Sequence, residues 1–333
     1  MVDISVCPST LAKGFQTYSP VALRRVFDKQ KVSLILPYDS IEKREEDLLL
    51  FTENKTRISI SGVQGKYSMI IRDGLLSLTS PGERGTYILK PRPTDVRNAA
   101  ECPANENLTM QIASQVFKID TAPNALCFFK NGDTAYVTKR FDINTAGNKL
   151  RVEDFATLAG VTSENAGPNF KYDYSYEEVG ELIKKYLPAW RVELLKFYRM
   201  ILFNFLFSNG DAHLKNFSVI DAGKNDYRLS PAYDLLNTNI HVDDSDFALD
   251  RGLFKTDKKE FFKGRRANGA TFFQFGLTLG LPEKIVSKEL AFFTTRHPLI
   301  EELTDNSFLS EKIKRQYKMH YQTKRNRLSD FKL

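Results

Sequence analysis

The stretch SNGDAHLKNFSVI, residues 208 to 220, holds several polar side chains that could do chemistry. Asp211 is followed five residues later by Asn216, and a second acid, Asp234, comes after the apolar FSVI run. A carboxylate can accept the proton of an attacking hydroxyl. A carboxylate and an amide oxygen are also hard ligands of the kind that Mg²⁺ prefers. The stretch could therefore supply one general base, Asp211, and two metal ligands, Asn216 and Asp234.

This spacing follows the order of the catalytic base and the two magnesium ligands in protein kinases. The base and the Asn share one tight loop, and the second Asp comes from a different turn. Two backbone segments would then hold one cation. Asp and Asn more commonly cap helices and make turns, and this alternative would be preferred if the loop stood alone.

Two earlier stretches favour the chemical interpretation. SISGVQGK, residues 59 to 66, could bind phosphate through backbone N–H groups, although it lacks the kinase G-x-G-x-x-G pattern. Lys90 ends the strand-like TYILKP, where a kinase carries the lysine that holds the α- and β-phosphates; an ordinary surface lysine is the alternative. Glu106, on the next predicted helix, could pair with Lys90, although an exposed glutamate is the more frequent case. The joint order of these motifs indicates a kinase-like site.

The composition is that of a folded protein with a sizeable core, since 42% of the 333 residues are hydrophobic and 25 are Phe. The net charge of +7 permits an acidic or phosphorylated partner but does not establish nucleic-acid binding. The three cysteines are too few and too scattered for a disulfide framework or a Cys-rich zinc site. No apolar stretch resembles a signal peptide or a membrane span. We therefore expect a cytoplasmic protein without membrane association.

The pattern of elements predicts an α+β, two-lobed, protein-kinase-like fold. Residues 1–145 are mainly predicted strands and turns, with hairpins at Asp73-Gly74 and at residues 131–133, and would form a small β-rich N-lobe with the phosphate loop and the ATP-binding lysine. Residues 146–333 are mainly predicted helices and would form a larger C-lobe with the catalytic loop. In this C-lobe, Ser175 and Glu178 predict a capping box. The apolar helix from about Pro188 would support the polar loop that follows it.

The sequence also resembles the HipA family of bacterial toxin Ser/Thr kinases, from about residue 55 to at least 240. The resemblance is carried by ISISGVQGKYSM, YILKP, ANENLTMQIA, VTKRFD, VEDFATLAG, SNGDAHLKNFSVI and LSPAYDLLNT. It implies a kinase-like fold, ATP and Mg²⁺ as cofactors, and a HipB-like DNA-binding antitoxin through which the protein would reach DNA.

The resemblance also implies residue roles. Asp211 would be the proton acceptor, Asn216 and Asp234 the metal ligands, and the backbone of residues 139–141 the adenine contact. Ser59 occupies the position of the inhibitory autophosphorylated serine of the family, and Ser61 is a second candidate. The expected ATP-binding residues are Ser61, Gly62, Val63, Gln64, Gly65, Lys66, Lys90, Lys139, Arg140, Phe141, His213, Leu214, Lys215, Asn216, Tyr233 and Asp234.

Only some fifty residues precede the glycine loop, and the serine is doubled as SIS, so the chain resembles the compact HipT type. In that type a separate small protein, HipS, supplies the missing N-terminal subdomain. The expected substrate is an aminoacyl-tRNA synthetase, with the tryptophanyl enzyme favoured and the glutamyl enzyme next, so that translation would be blocked. Two alternatives stay open. One is a small-molecule kinase of the aminoglycoside or choline type, and the other is a basic nucleic-acid-binding module, given a pI near 9.1.

Overall fold

The computed structural model describes residues 4–40, 65–223, 226–255 and 266–330, and elements are numbered in chain order over these residues. The strands are β1 Tyr67–Arg72, β2 Leu75–Leu78, β3 Tyr87–Pro91, β4 Asn124–Phe128, β5 Thr134–Lys139, β6 Val152–Asp154, β7 Ser218–Asp221 and β8 Tyr227–Leu229. The helices are α1 Pro20–Val26, α2 Cys102–Gln115, α3 Phe155–Ala159, α4 Ser163–Ala166, α5 Tyr176–Tyr186, α6 Trp190–Leu206, α7 Gly269–Thr278, α8 Glu283–Thr294, α9 Pro298–Asn306 and α10 Glu311–Ser329.

An antiparallel five-stranded sheet forms the first half of a mixed α/β fold, in the order β2-β1-β3-β5-β4. Both predicted hairpins are confirmed. Asp73 and Gly74 have φ of 50° and 73° between β1 and β2, the positive angles that a tight two-residue turn requires. The second hairpin turns at Gly132, with φ of 91°. Lys90 lies in the central strand opposite Tyr136 of β5, so both neighbouring strands hold its backbone.

Residues 4–40 pack along β4, which sequence patterns did not reveal. The Leu36 N–H donates to the Phe128 carbonyl at 2.7 Å, and the Phe128 N–H donates to the Leu34 carbonyl at 2.8 Å. The Tyr18 hydroxyl donates to the Leu126 carbonyl at 2.7 Å. Side chains of this segment and of the sheet form the smaller of two hydrophobic cores.

Helix α2 is buried on nearly every side, because every residue from Cys102 to Ala113 is shielded from solvent. The sequence predicted the helix with one apolar face, which includes Leu108 and Ile112. The structure also buries the polar residues between these positions, and they form hydrogen bonds to other elements. Apolar side chains of α2 belong to the larger core, together with those of α5 to α10.

The helix before the polar loop, α6, is largely apolar and buried towards its end, as predicted. It begins at Trp190 with Ala189 as its N-cap, so Pro188 lies outside it. The two polar residues in its apolar half have partners: Arg199 is paired with Glu289 at 2.7 Å, and Asn204 accepts a hydrogen bond at the helix end. Helix α5 has the predicted capping box.

In a second antiparallel sheet, β6-β7-β8, the strands β7 and β8 follow the polar loop, and β7 pairs with the earlier strand β6. The last helix, α10, returns across the larger core. Its Tyr317 hydroxyl lies 2.8 Å from the Thr109 hydroxyl of α2, and its Arg327 is paired with Asp246 at 2.6 Å. Within the described ranges, the helices are too short or too polar to cross a membrane.

Candidate active site

A cluster of two lysines and two acids joins the sheet, α2 and the turn after β8. The Lys90 ammonium donates to Glu106 Oε1 at 2.6 Å and to Asp234 Oδ1. Lys66 lies 3.2 Å from the other oxygen of Asp234. Lys90 is only 4% exposed and Glu106 only 2%, so neither is a surface residue. The pairing of Glu106 with Lys90, which the sequence left open, is therefore present.

In this cluster each charged group favours the ionised form of its oppositely charged partners, which opposes the effect of burial. Burial alone would lower the pKa of Lys90, but the carboxylates of Asp234 and Glu106 outweigh it and raise that pKa. Burial would raise the pKa of Asp234, but Lys66 and Lys90 hold it well below its ordinary value. Burial raises the pKa of Glu106, and Lys90 only partly offsets this rise. Asp234 thus keeps its negative charge, as a metal ligand must.

Asp234 has a left-handed backbone, with φ of 55°. Asp tolerates this conformation better than most residues, but it still costs about 1–3 kcal/mol and persists where surrounding contacts impose it. Here the Asn209 amide donates to the Asp234 carbonyl at 3.4 Å, and both carboxylate oxygens are paired with lysines.

The loop that carries Asp211 is fixed at several points. Ser208 reverses the chain at the end of α6 with φ of 54°. The Gly210 N–H donates to the Thr238 hydroxyl at 2.9 Å. A Cβ on Gly210 would come within 2.4 Å of Asp244, so only glycine fits there. Across the loop, the Asn216 amide donates to the Asp211 carbonyl at 2.9 Å, and this bond sets the spacing of the two predicted site residues.

The surroundings of Asp211 have opposite effects on its pKa. Burial raises its pKa, whereas Lys171 and the Tyr172 hydroxyl, which donates to Asp211 Oδ1 at 2.9 Å, lower it. His213 Nε2 is 4.0 Å from Asp211 Oδ2, too far for a hydrogen bond. Burial and then Lys171 lower the pKa of His213 to about 3, so its ring is neutral at pH 7. Its Nδ1 is buried and has no hydrogen-bond partner among the described residues.

Sequence reasoning missed Lys171 and Tyr172. They lie about forty positions before Asp211 in KYDY, which has no motif spacing to the loop. The available signal was a lysine and aromatic residues directly before the capping box of α5, and this pattern is common at surfaces. Only the folded chain shows that the Lys171 carbonyl accepts the Leu214 N–H at 3.0 Å and so joins the two segments.

The predicted adenine contact lies near two stacked rings. Phe141 and Tyr233 stack with centroids 5.6 Å apart, and the Tyr233 hydroxyl donates to the Lys215 carbonyl at 2.9 Å. The N–H groups of Lys139 and Arg140 already donate to the Pro123 and Thr86 carbonyls.

Other predicted ATP-binding residues also have protein partners. The Lys215 ammonium lies 3.0 Å from Asp154 Oδ2, and the side chains of Lys139 and Arg140 pair with Asp28 and Asp142. The Leu214 side chain is buried in the larger core. Gly65 is the first residue of the described range 65–223 and precedes Lys66. The remaining predicted residues, Ser59, Ser61, Gly62, Val63 and Gln64, lie outside the described residues.

The donor set fits magnesium better than a transition metal. Asp234 and Asn216 offer hard oxygens, and the described residues contain no cluster of three or more His, Cys, Asp or Glu side chains that could hold a metal. Mg²⁺ commonly takes one or two protein ligands and completes its shell with phosphates and water. Buried polar atoms without partners, His213 Nδ1 and Asn209 Oδ1, also suit a polar occupant near the loop.

Helix α2 is joined to the chain just after Asp234. The Asn105 side chain donates to the Asn237 carbonyl at 2.9 Å and accepts from the Asn237 N–H at 3.0 Å. Its amide also lies 2.9 Å from Nε2 of His241. Asn105 is next to Glu106, so this joint fixes the distance between the acid that pairs with Lys90 and the loop that carries Asp234.

Comparisons with known proteins identify a family and several relatives of this chain. Residues 58–295 match the family described as "HipA-like C-terminal domain". A Haemophilus influenzae protein named "Putative kinase" is 25% identical over 316 residues, which cover 88% of this chain and 87% of that protein. Two Sinorhizobium fredii proteins with the same description, Y4mE and Y4dM, are each 31% identical. These matches cover 59% and 61% of this chain and 46% and 51% of those proteins.

Two solved structures share the fold. The structure of Shewanella oneidensis HipA with HipB and operator DNA superposes with a TM-score of 0.65 at 20% identity, covering 87% of this chain and 72% of that one. The Helicobacter pylori proinflammatory kinase CtkA superposes with a TM-score of 0.51 at 15% identity, covering 82% of this chain and 93% of that one. At these identities the likeness is one of fold.

Proposed function

Because the chain belongs to the HipA-like C-terminal domain family, we propose that it is an ATP- and Mg²⁺-dependent protein Ser/Thr kinase and the toxin of a toxin–antitoxin system. The observation that carries the proposal is the ion cluster of Lys90, Glu106 and Asp234 beside the Asp211–Asn216 loop. These are the side-chain types, in the chain order, that phosphoryl transfer from ATP uses in protein kinases.

Each residue has a role in this proposal. Asp211 accepts the proton of the attacking serine or threonine hydroxyl, and Tyr172 keeps its carboxylate oriented. Lys90 holds the α- and β-phosphates, and Lys66 moves from Asp234 towards the phosphates. Bound Mg²⁺, held by Asn216 and Asp234, would neutralise phosphate charge. The stacked rings of Phe141 and Tyr233 lie beside the expected adenine site.

The proposed layout is two-lobed and kinase-like, with residues 1–145 as the N-lobe and 146–333 as the C-lobe. It is supported by the two hydrophobic cores and by the fold shared with the two neighbouring structures. The active site would lie between the lobes, since Lys90 comes from the sheet and Asp211 from the helical part.

The proposal extends to the partners of the chain. The Shewanella HipA structure contains HipB and operator DNA, which supports a HipB-like antitoxin that links this chain to DNA. The doubled serine supports the compact HipT type, in which a separate HipS-like protein is the second partner. The proposed location of the complex is the cytoplasm. The proposed substrate is an aminoacyl-tRNA synthetase, with the tryptophanyl enzyme first and the glutamyl enzyme second, and its phosphorylation would stop translation.

Autophosphorylation at Ser59 or Ser61 is proposed as the control of activity. A phosphate adds up to about two negative charges at neutral pH. Next to a phosphate-binding loop this charge would repel ATP and lower its affinity.

The test is transfer of label from γ-labelled ATP. We expect label on the purified chain, and on the tryptophanyl or glutamyl synthetase when either is added. Asp211→Asn should lower transfer at least about a hundredfold, because loss of a general base typically costs that much. The exposed Asp120→Asn is the matched control and should keep full activity. A wild-type chain that labels neither itself nor any added protein, but phosphorylates aminoglycosides or choline, would show a small-molecule kinase instead.

A further inference from the structure

Lys171 lies in a second segment, residues 171–176, which packs against the loop that carries Asp211. Its carbonyl accepts the Leu214 N–H at 3.0 Å. Further along this segment, the Tyr176 hydroxyl donates to the Ala212 carbonyl at 2.9 Å. Between these contacts, Tyr172 donates to Asp211. The Tyr172 ring also packs edge-on against the His213 ring, with centroids 5.4 Å apart. The segment thus contacts all four residues from Asp211 to Leu214, and Lys171 is held beside the proposed base.

The Lys171 side chain is largely buried, and its ammonium lacks a carboxylate partner among the described residues. The residue is only 3% exposed. Within the described part of the chain, its ammonium has no ion pair within 4.0 Å, and its Nζ lies 4.7 Å from the centroid of the Tyr172 ring. Buried charges in proteins are normally paired, because an unpaired ammonium loses its hydration without compensation. The cost is visible in the pKa of Lys171, which burial lowers although Asp211 opposes the effect.

The other lysines around the site already face carboxylates. Lys66 and Lys90 contact Asp234, and Lys215 contacts Asp154. His213 lies on the loop itself but is neutral at pH 7, because burial lowers its pKa. Lys171 is therefore the cation near Asp211 that forms no ion pair within 4.0 Å among the described residues, although the more distant Asp211 carboxylate partly offsets its burial.

We propose that the Lys171 ammonium contacts the γ-phosphoryl group of bound ATP during transfer. This inference rests on the proposed kinase function. In the reaction, the substrate hydroxyl oxygen forms a bond to phosphorus, the bond from phosphorus to the bridging oxygen of ADP breaks, and the hydroxyl proton passes to Asp211. Negative charge is spread over the three equatorial oxygens of the transferred group. A fixed cation in a water-poor site stabilises that charge without reorganisation.

A purely structural role for Lys171 makes different predictions. Its cation–π contact could simply hold the Tyr172 ring. Removing a structural lysine should lower stability and weaken the binding of ATP and ADP alike. Removing an unpaired phosphate-binding lysine should leave stability unchanged or raise it. It should weaken the binding of ATP but not the binding of ADP.

The experiment compares ATP and ADP affinities, in the presence of Mg²⁺, of the wild type and of Lys171→Met by calorimetry. Lys185→Met is the matched control, because Lys185 lies 4.8 Å over the Tyr186 ring in the same manner but on an exposed helix end. We expect Lys171→Met to weaken ATP binding about tenfold or more, as for loss of a charged hydrogen bond. ADP binding should stay within about twofold, and the melting temperature should not fall. Lys185→Met should change neither affinity.

An unchanged ratio of ATP to ADP affinity in Lys171→Met would overturn the inference, and so would an equal loss of both affinities with a lower melting temperature. If the Met variant does not fold, Lys171→Gln gives the same comparison with a neutral side chain that can still donate hydrogen bonds. A wild type that binds neither nucleotide would overturn the kinase proposal itself. Normal binding with an unchanged ratio would count against Lys171 alone.

Discussion

The Asp211 carboxylate is poised by opposing contacts. Burial raises its pKa, and Lys171 and the hydrogen bond from Tyr172 lower it. A general base, the role proposed for Asp211, must be deprotonated to accept a proton, so these contacts would let it act at lower pH than burial alone would allow.

Tyr172→Phe should therefore shift the pH dependence of phosphoryl transfer. Loss of the hydroxyl removes a group that lowers the pKa of Asp211, so this pKa rises and the acid limb of the rate profile moves to higher pH. The measurement is the initial rate against pH, with Tyr174→Phe as the control, since the Tyr174 ring contacts Arg251 instead. A shift to lower pH, or an equal shift in both variants, would contradict this role of Tyr172.

The buried pair of Lys90 and Glu106 gives a stability prediction. Lys90→Met leaves the Glu106 carboxylate buried and without its 2.6 Å partner, so we expect a loss of about 3–5 kcal/mol in the free energy of unfolding. The pKa of Glu106, already raised by burial, rises further and the folded state binds the extra proton. The stability of the variant should thus decrease as the pH rises above the pKa of an unfolded glutamate.

The double variant Lys90→Met with Glu106→Gln should recover part of this stability, because no buried charge is left without a partner at that position. Urea unfolding at pH 5 and pH 8 measures both effects. The idea fails if the single variant is equally stable at both pH values and the second substitution restores nothing.

At the residue scale, motif spacing predicted one site from Asp211, Asn216, Asp234 and Lys90. In the structure Lys90 contacts Asp234, and the Asn216 amide donates to the Asp211 carbonyl. It left the Lys90–Glu106 pair open because an isolated glutamate on a helix is usually exposed. It could not find Lys171, whose place depends on a contact between segments distant in sequence.

The element that most constrains the site is α2. On one side Asn105 bonds to Asn237, just after Asp234. On another side Asn107 donates to Asn124 Oδ1 of β4 at 3.1 Å. The helix thus joins the sheet to the loop of Asp234 and sets the position of Glu106 between them.

Asn105→Ala and Asn107→Ala form a matched pair on this helix. Each removes buried hydrogen bonds and should cost about 1–3 kcal/mol of stability. Only Asn105→Ala loosens the chain after Asp234, so only this variant should also weaken the binding of Mg²⁺ and ATP. Chemical unfolding and calorimetry on both variants separate the two effects. Equal losses of nucleotide affinity would show that α2 does not position Asp234.

Hairpins and capped helices were predictable because their signals are local. The turn at Asp73-Gly74 and the capping box of Ser175 and Glu178 were found at their predicted positions. The burial of α2 was not predicted, because its polar residues suggest a solvent face unless their distant partners are known. The packing of residues 4–40 along β4 likewise depends on backbone contacts that leave no residue pattern.

At the scale of the whole molecule, the candidate site draws on both halves of the fold. Lys90 lies on the sheet that contributes to the smaller core, and the loop that carries Asp211 packs on the larger core. A ligand that contacts both should stabilise the entire chain against unfolding, because binding to the folded state alone shifts the equilibrium.

We therefore expect Mg²⁺ with a non-hydrolysable ATP analogue to raise the melting temperature, with a stabilisation of about 2.7 kcal/mol when the ligand is at a hundred times its Kd. Asp234→Asn should lose the part of this shift that depends on Mg²⁺, because one negative charge leaves the proposed metal site. Asp246→Asn is the matched control. Like Asp234, Asp246 is held by two basic residues, Lys324 and Arg327, but these lie on α10. This control should lower the melting temperature of the free protein and keep the full Mg²⁺-dependent shift. If Asp234→Asn keeps that shift as well, Asp234 does not bind the metal, and its two lysine contacts serve only to hold the fold together.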